Sequence, residues 1–462
     1  MAFTPQPPPA AADWKGETKI LELGGSFYDP VEAVDFPETR LRFRNDRWAA
    51  GVGLGGLSDT EWIQHFGRFQ PMPDSLPQPL ALRYHGHQFR VYNPEIGDGR
   101  GFLFAQMRDR DSRLLDFGTK GSGQTPWSRF GDGRLTLKGG VREVLATEML
   151  EALGVNTSKT FSLIETGEAL ERGDEPSPTR SAVLVRLSHG HIRIGSFQRL
   201  ATLRDEEGMR ALTAYCLRHF HGEQPGEDAA IRLLDHVVGA TAELAASYMA
   251  AGFVHGVLNS DNINVTGESF DYGPWRFAPT WQPGFTAAYF DHAGLYAFGR
   301  QPEAIHWDVV QLASALRLVA DVEPMVSALE SFGARYQAAL TNRMLWRLGV
   351  VPRGPAEDVA LVQAIEAALI ATGEGLDRFF FDWMGGCERI PHPDPAWQPL
   401  REALAGYAPA RSLDHPYWSG EPCSMLIEEV ESIWDRIATD DDWSAFETKI
   451  AAIRSMGDAL RG

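Results

Sequence analysis

One stretch decides the fold, and it reads His255-Gly-Val-Leu-Asn-Ser-Asp261-Asn262-Ile-Asn-Val-Thr-Gly-Glu-Ser-Phe-Asp271-Tyr272-Gly273. It places the carboxylate of Asp261, the carboxamide of Asn262 and the carboxylate of Asp271 on a short segment rich in turn-forming residues. Such residues hold the backbone in tight turns, and carboxylate and amide oxygens are the ligands that hard divalent cations prefer. A chance grouping is the weaker explanation, so the stretch predicts an oxygen-rich cation site.

The spacing within this stretch matches a protein-kinase catalytic segment, in which H-R-D-x-x-x-x-N precedes D-F-G. Asn262 lies seven positions after His255, as in kinases, and Asp271 begins the counterpart of D-F-G. Val257 occupies the place of the kinase catalytic aspartate, and a valine side chain cannot accept a proton. Two interpretations remain open: a dead kinase, or an enzyme whose carboxylate has moved to Asp261. His255 is interpreted as a structural loop residue.

The composition is that of a globular enzyme. The chain has 462 residues, of which 44% are hydrophobic and 23% charged, enough for two or three domains or lobes. The net charge of −19 argues against nucleic acid and anionic membranes as partners, whereas a nucleotide needs only a local cluster of cations. Three widely separated cysteines form no zinc motif and favour a reducing compartment.

The sequence also predicts where the protein resides. Residues 1–10 lack the basic start and apolar core of a signal peptide and are expected to be a disordered, proline-rich lead. No apolar run approaches the roughly 20 residues of a membrane span. We therefore expect a bacterial cytoplasmic protein.

Hydrophobic periodicity predicts a strand-rich half followed by a helix-rich half. Ser58 and Glu61 form the pattern of a capping box before a short helix at 59–66. Strands are predicted at 101–107, 114–120, 160–164 and 181–187, with a surface loop at 171–178. Further helices are predicted at 138–153, 228–250, 306–319, 355–373 and within 424–460, and Gly154 suits the position after the first of these.

Two glycine-rich segments are candidate phosphate-binding loops. The first is Gly97-Asp-Gly-Arg100, which as a lone G-x-G is explained about equally well by a tight turn. The second, residues 120–134, follows a strand and is dense in glycines, hydroxyls and cations, although it lacks the Walker A order. The alternative for the second segment is a long flexible hairpin loop.

Charged residues on the predicted strands and helix complete the pattern. Lys120 ends a strand and Glu143 lies 23 residues later on a helix, which is the arrangement by which kinases hold a lysine on nucleotide phosphates. Arg186 and Arg193 flank an apolar strand end, and their planar guanidinium groups suit phosphate oxygens. His189 and His191 alternate between them, but without a third ligand we expect ordinary polar contacts rather than a metal site.

Taken in order, these segments resemble the selenoprotein O family, called YdiU in bacteria, whose members look like pseudokinases but act as protein adenylyltransferases. The segments that carry the resemblance are Tyr84-His-Gly-His-Gln-Phe89, Gly97–Arg100, Lys120-Gly-Ser-Gly, Ser128–Arg134, Arg142-Glu143, Arg186 with Arg193, 255–262, Asp271-Tyr-Gly-Pro274 and Asp291-His292. They cover about residues 80 to 320 and are specific as a set. Two departures from the family pattern are His85 after Tyr84 and Arg90 after Phe89.

The resemblance implies an α+β, bilobal, protein-kinase-like fold. Residues 1–84 would be an N-terminal extension, 85–205 a strand-rich N-lobe with the nucleotide-binding loops, 206–345 a helical C-lobe with the catalytic loop, and 346–462 a helical extension packed on the larger lobe. ATP would bind in a flipped orientation that buries the γ-phosphate. The printed sequence ends Asp-Ala-Leu-Arg-Gly, without the terminal cysteine or selenocysteine of some members, so redox regulation through that group is not part of the prediction.

The resemblance also implies roles for residues at matching positions. Asp261 would be the general base, and Asn262 and Asp271 would ligate Mg²⁺ or Mn²⁺. Glu143 would pair with Lys120 in the nucleotide site. The residues that would hold the nucleotide are Gly97, Gly99, Arg100, Lys120, Asp132, Gly133, Arg186, Arg193 and Asp271.

The predicted function is transfer of AMP from ATP to Ser, Thr or Tyr hydroxyls of proteins, with release of pyrophosphate. Three alternatives remain open. They are uridylyl transfer from UTP with Mn²⁺, a conventional kinase transferring the γ-phosphate, and a catalytically dead nucleotide-binding module.

Overall fold

The computed structural model describes residues 12–173 and 175–462, so the predicted N-terminal lead, residues 1–10, lies outside the described residues. The strands are β1 Gly16–Glu17, β2 Tyr28–Pro30, β3 Arg40–Arg44, β4 Leu80–Leu82, β5 Gly86–Gln88, β6 Val91–Asn93, β7 Leu103–Arg108, β8 Leu114–Lys120, β9 Leu135–Thr136, β10 Lys159–Leu170, β11 Thr179–Ser188, β12 Phe253–Val254 and β13 Arg276–Phe277.

The helices of the first half are α1 Asp46–Gly51, α2 Asp59–Phe66, α3 Leu137–Ala152, α4 Ile194–Leu203, α5 Glu206–Phe220 and α6 Ala229–Ala251. Those that follow are α7 Gln301–Leu316, α8 Val322–Glu330, α9 Phe332–Leu348, α10 Pro355–Thr372, α11 Leu376–Asp382, α12 Gln398–Leu404, α13 Ile427–Asp440 and α14 Ser444–Arg461. The protein is therefore a mixed α and β structure in which most strands precede most helices, as predicted.

An antiparallel sheet dominates the first 190 residues. Its strand order is β2-β4-β7-β8-β11-β10-β3, with β1 added beside β7 and β9 beside β11. Strands from residues 16–82 thus belong to the same sheet as strands from residues 103–188. The division of the chain at residue 84, like the rest of the four-part division, stays a prediction.

The two faces of the sheet are covered differently. Alternate side chains of a strand point to opposite faces, and in β11 Leu184 joins the cluster around α3 whereas Val183 and Val185 join an aromatic cluster. In the latter, the Trp62 ring stacks on Phe161 with 4.8 Å between ring centroids. Because both faces are buried, the register of β8 and β11, and with it the position of the site residues, is strongly specified.

Most predicted elements are confirmed within one or two residues. The capping box is present: Ser58 Oγ accepts from the backbone N–H of Glu61, and the Glu61 carboxylate accepts from that of Ser58. The predicted 101–120 hairpin is the antiparallel pair β7 and β8. Gly154, just beyond α3, has the left-handed backbone angle (φ +77°) that favours glycine.

Three differences have physical reasons. The helix predicted from 306 begins at Gln301, because Pro302 is well suited to the first turn of a helix. The stretch 424–460 divides into α13 and α14 at Asp441, which has φ +51°. Finally, the last two helices of the predicted extension also pack on the first half of the chain. They contact α3, where Lys138 pairs with Glu431 at 2.6 Å.

Neither a membrane-spanning helix nor a disulfide is found among the described residues. Within residues 12–173 and 175–462, no helix combines the length and the apolar character needed to cross a membrane. All three cysteines are free.

Candidate functional site

A cleft of about 720 Å³ opens where the glycine-rich segments meet the 255–273 loop. Most of the sequence-predicted site residues line it, although they come from four separate segments of the chain. The predicted residues in its walls are Gly97, Gly99, Arg100, Lys120, Asp132, Gly133, Arg186, Arg193, Asp261 and Asp271. Two predicted residues are not in the lining: Glu143 lies directly behind Lys120, and Asn262 lies beside Asp261.

The two glycine-rich segments are joined to each other by Trp127 and its neighbours. A side chain at Gly97 would meet the Trp127 ring at 2.5 Å, and one at Gly99 would meet the Trp127 carbonyl oxygen at 2.9 Å. The Thr125 hydroxyl donates to the Asp98 carbonyl, and the Ser128 hydroxyl donates to the Gly99 carbonyl. The 120–134 segment is therefore tethered to the 97–100 turn, which argues against the alternative of a long flexible hairpin loop.

Asp132 and Gly133 form the rim of the cleft. The Asp132 carboxylate accepts from both terminal nitrogens of Arg172, at 2.9 and 3.1 Å, and from the Arg134 backbone N–H. Partial burial opposes the charge on Asp132, but these donors outweigh it and hold its pKa below the usual range. Gly133 has φ +70°, and a Cβ there would lie 2.2 Å from Gly123, so only glycine fits.

A network of four charged side chains, three of them buried and Asp271 partly exposed, forms the inner end of the cleft. Lys120 Nζ lies 2.6 Å from a Glu143 carboxylate oxygen and 2.9 Å from Asp271 Oδ1. Arg186 lies 3.4 Å from Glu143 and 3.6 Å from Asp271. Burial opposes the charge on Asp271, but Lys120 and Arg186 outweigh it and hold its pKa well below the usual value. The predicted pairing of Lys120 with Glu143 is present in the structure.

Arg193 connects the inner end to the 255–273 loop. One terminal nitrogen donates to Asp98 at 3.1 Å, the other to the Asp261 backbone carbonyl at 3.5 Å, and the guanidinium lies 4.2 Å from the centroid of the Tyr84 ring. The Nε atoms of both Arg186 and Arg193 are buried and make no hydrogen bond with the described residues. Buried donors usually have a hydrogen-bond acceptor, so these two Nε–H groups are available to an anion bound in the cleft.

Asp261 is a buried carboxylate with an unpaired oxygen. It lies in a single 3₁₀ turn, Ser260–Asn262, and its Oδ1 makes no hydrogen bond with any described residue. Gly86 packs so closely that an added Cβ would lie 2.8 Å from that oxygen. Burial raises the pKa of Asp261 to about 6; Arg193 opposes the rise and Asp271 adds to it. A carboxyl group with a pKa near neutrality can accept a proton in a reaction.

The neighbours of Asp261 in the loop have structural contacts. Asn262 Nδ2 donates to the Val257 carbonyl at 3.0 Å, which fixes the amide and leaves its oxygen as the atom it would offer to a cation. His255 is buried, with Nε2 3.0 Å from the Phe270 carbonyl oxygen, and burial lowers its pKa. Its interpretation as a structural loop histidine agrees with these contacts. Within the described residues, no three His, Cys, Asp or Glu side chains cluster as a metal site.

The two histidines beyond β11 differ. His189 lies edge-on to Phe220 and its backbone N–H donates to Glu268, so it makes the ordinary contacts expected. His191 instead lines the cleft, with Nδ1 3.2 Å from Asp116. Asp116 and Trp127 are not among the site residues predicted from sequence. Asp116 lies in no recognisable motif and Trp127 is a non-polar member of the 120–134 segment, so only the strand register and the loop path bring them to the site.

The chain is similar in sequence to known proteins. Residues 11–390 match the protein family described as "Protein adenylyltransferase SelO". A protein of Gloeobacter violaceus named "Protein nucleotidyltransferase YdiU" is 44% identical over 460 residues, covering 95% of this chain and 94% of the relative. A protein of the same name from Synechococcus elongatus is 42% identical, covering 96% and 95% respectively. A more distant one, from Hahella chejuensis, is 36% identical and covers 79% and 73%.

The match extends over most of the chain and includes every segment that lines the cleft. The names of the family and of its relatives confirm the predicted enzyme class, a protein nucleotidyltransferase. The chain belongs to the SelO family.

Proposed function

We propose that this protein transfers AMP from ATP to a Ser, Thr or Tyr hydroxyl of protein substrates and releases pyrophosphate. The observation that carries the proposal is the pairing, in one cleft, of a cationic inner end with the unpaired carboxylate oxygen of Asp261. The cationic end suits a triphosphate, and the carboxylate suits a hydroxyl acceptor. The net charge of −19 speaks for protein acceptors rather than nucleic acid or membranes.

The proposal includes a kinase-like, bilobal arrangement around the cleft. Its support is the Lys120–Glu143 ion pair, which joins β8 to α3. Asp271 of the 255–273 loop forms a second ion pair with the same lysine. In kinases such a pair orients the lysine on the phosphates. Val257 stands where the kinase base would be and cannot accept a proton, which favours chemistry at a different phosphate, next to Asp261.

Asp271 and Asn262 would hold Mg²⁺ or Mn²⁺. The donor set fits either ion, because a carboxylate and an amide oxygen are hard ligands and these ions take further ligands from phosphates and water. The metal would neutralise charge on the phosphates when bound. The Asn262 contact with Val257 supports the fit, since it occupies the amide nitrogen and leaves the amide oxygen as the atom for a cation.

The side chains of the chain supply the other functions. Lys120, Arg186 and Arg193 neutralise the buried end of the triphosphate, and the tethered loops with Gly97, Gly99 and Arg100 enclose it. The acceptor oxygen forms a bond to the α-phosphorus while the bond from that phosphorus to the bridging oxygen breaks. The hydroxyl proton passes to Asp261, and pyrophosphate leaves. These charged side chains act by positioning the reactants and by electrostatic stabilisation, as is usual for phosphoryl chemistry.

The test is incorporation of label from ATP into protein. With Mg²⁺ or Mn²⁺ present, label from α-labelled ATP should enter the protein or an added acceptor, and label from γ-labelled ATP should not. The reverse result would establish a kinase and overturn the proposal. Faster labelling from UTP than from ATP would favour the uridylyl alternative, and no labelling from either, with metal-dependent nucleotide binding retained, would favour the binding module.

A variant connects the label to the site. Asp271→Ala should reduce incorporation by about a hundredfold or more, because it removes a metal ligand and part of the charge network. Asp35→Ala is the matched control, since its carboxylate is 96% exposed and does not line the cleft. Undiminished incorporation by Asp271→Ala would exclude its role as a metal ligand.

A further inference from the structure

His191 holds one ring nitrogen in a fixed contact and presents the other without a partner. Its side chain is 5% exposed and forms part of the cleft wall. Nδ1 lies 3.2 Å from Asp116 Oδ2, whereas Nε2 is buried and makes no hydrogen bond with the described residues. Ordinary polar contacts explain the first nitrogen but not the second, because a buried polar atom without a partner is costly.

The partner of His191 is itself held in place. Asp116 Oδ1 accepts from Gln106 Nε2 at 2.7 Å, and Gln106 Oε1 accepts from the Ile20 backbone N–H at 2.7 Å. Since a carboxylate only accepts hydrogen bonds, Nδ1 of His191 carries a proton in this contact. The ring orientation is therefore fixed from behind, as it is for functional histidines held by a carboxylate.

The strand geometry directs Nε2 toward the cationic end of the cleft. A Cβ at Gly118 would lie 2.2 Å from Nε2, so the glycine makes room for the ring against β8. Gly118 pairs with Arg186 across the sheet, and it lies two residues before Lys120 on the same face of the strand. The unpaired nitrogen is thus next to the two cations that close the inner end.

We propose that His191, held by Asp116, binds a terminal phosphate oxygen of the nucleotide through Nε2–H. In this state both ring nitrogens donate, Nδ1 to Asp116 and Nε2 to the phosphate, so the histidine adds a cation to Lys120 and Arg186. The inference rests on the proposed function only in placing the triphosphate with its terminal phosphate at the inner end. Asp116 is the positioning residue, since it acts through His191.

Two substitutions separate the ring nitrogens. In His191→Asn the side-chain amide can reach Asp116, in the manner of Nδ1, but leaves nothing at the position of Nε2. In His191→Gln the longer amide places a donor near Nε2. Binding of ATP and of AMP, each with Mg²⁺, is measured by titration, with AMP followed by competition. His191→Asn should weaken ATP about tenfold or more and leave AMP unchanged, because AMP lacks the terminal phosphates, and His191→Gln should retain most of the ATP affinity.

A second pair of variants distinguishes a specific loss of binding from misfolding. Asp116→Asn keeps the imidazole and the shape of the site, and it should weaken ATP severalfold without affecting AMP. His189→Asn is the matched control, a histidine two residues away that does not line the cleft, and it should leave both affinities unchanged. Equal weakening of ATP and AMP by the His191 variants, or no change in ATP binding in both His191→Asn and Asp116→Asn, would overturn the assignment.

The outcome is separable from that of the proposed function, because the titrations need no acceptor. If the wild-type protein transfers AMP but His191→Asn binds ATP normally, only the histidine assignment fails. If it transfers no AMP but His191→Asn selectively weakens ATP, the assignment stands and the proposed reaction fails.

Discussion

The two ends of the cleft differ in whether their charged side chains have partners. At the inner end, Lys120 and Arg186 are each within 4 Å of both Glu143 and Asp271, so cations and carboxylates compensate each other in a buried network. At the loop end, Asp261 is equally buried but keeps one oxygen without a partner. Paired charges fix the shape of a binding site. An unpaired buried carboxylate lowers the stability of the folded protein but leaves the group free to react. Removing a charge should therefore have opposite effects on stability at the two ends.

The largest effect is expected at the inner end. Lys120→Met keeps the length of the side chain but removes one of the two cations that Glu143 and Asp271 share. Breaking a buried ion pair by removing one partner costs about 3–5 kcal/mol, and Lys120 is only 4% exposed. The free energy of unfolding, from urea denaturation at pH 7.5, should fall by that amount, and label incorporation should be lost.

A double variant tests whether the loss comes from uncompensated charge. Lys120→Met with Glu143→Gln removes one carboxylate together with the lysine and should recover part of the stability, though not the activity. If the single variant unfolds at the same urea concentration as the wild type, the inner end is not the compensated network described here.

Asp261→Asn should instead stabilise the protein. Burial raises the pKa of Asp261 to about 6 in the folded state, about 2 pH units above its ordinary value, so ionisation favours the unfolded chain. This cost is absent below about pH 4, where the group is protonated in both states, grows between pH 4 and 6, and is constant above. At pH 8 the metal-free variant should gain about 3 kcal/mol in free energy of unfolding, and at pH 4.5 about 1 kcal/mol.

The measurement is urea denaturation with chelator present at both pH values, beside label incorporation with metal restored. Incorporation should be lost although stability rises. The charged groups that face Asp261 are Arg193, Asp271 and Asp308, and they are unchanged in the variant. Asp35→Asn, on the exposed surface, should change stability by less than about 0.5 kcal/mol at either pH. A destabilised Asp261→Asn protein at pH 8 would mean that the carboxylate is satisfied after all.

The contrast between the ends was only partly predictable from sequence. The partners of Lys120 and the loop with Asp261 could be predicted because their spacing along the chain reports a known geometry. The cost at Asp261 could not, because it depends on the packing of Gly86, 175 residues away in sequence, against the carboxylate. Spacing identifies chemical groups, whereas burial and hydrogen-bond satisfaction are properties of the folded chain.

Secondary structure shows the same division. The helices α3 and α6 were predicted within one residue at each end because long amphipathic patterns with end signals are local properties. The contact of α13 and α14 with α3 was missed, because which helix covers which surface is decided by distant partners such as Glu431 and Lys138. The role of His191 was underestimated for a related reason. Its partner Asp116 is an inconspicuous strand residue that only the sheet register brings near.

The smallest effect on stability is expected where the backbone meets the unpaired oxygen. Gly86→Ala adds a single methyl group that would lie 2.8 Å from Asp261 Oδ1 and 2.9 Å from its Cβ, so the carboxylate must shift. Overpacking by one methyl group costs about 1–3 kcal/mol, and we expect the lower end because the loop is short and the neighbour is a side chain. A catalytic group displaced by about 1 Å can lose about a hundredfold in rate. Incorporation should therefore fall far more than stability.

Gly25→Ala is the matched control, since a Cβ at Gly25 meets no atom within 4 Å, and both of its readouts should be unchanged. Initial rates of label incorporation and urea denaturation of the two variants decide the point. If Gly86→Ala loses activity only in proportion to its stability, the close approach of Gly86 is a packing feature, and the position of Asp261 is not what sets the rate. A large loss of rate with a small loss of stability would show that the packing of Gly86 holds the unpaired oxygen of Asp261 in its reactive position. The loop end would then favour reactivity, whereas the paired charges of the inner end favour stability.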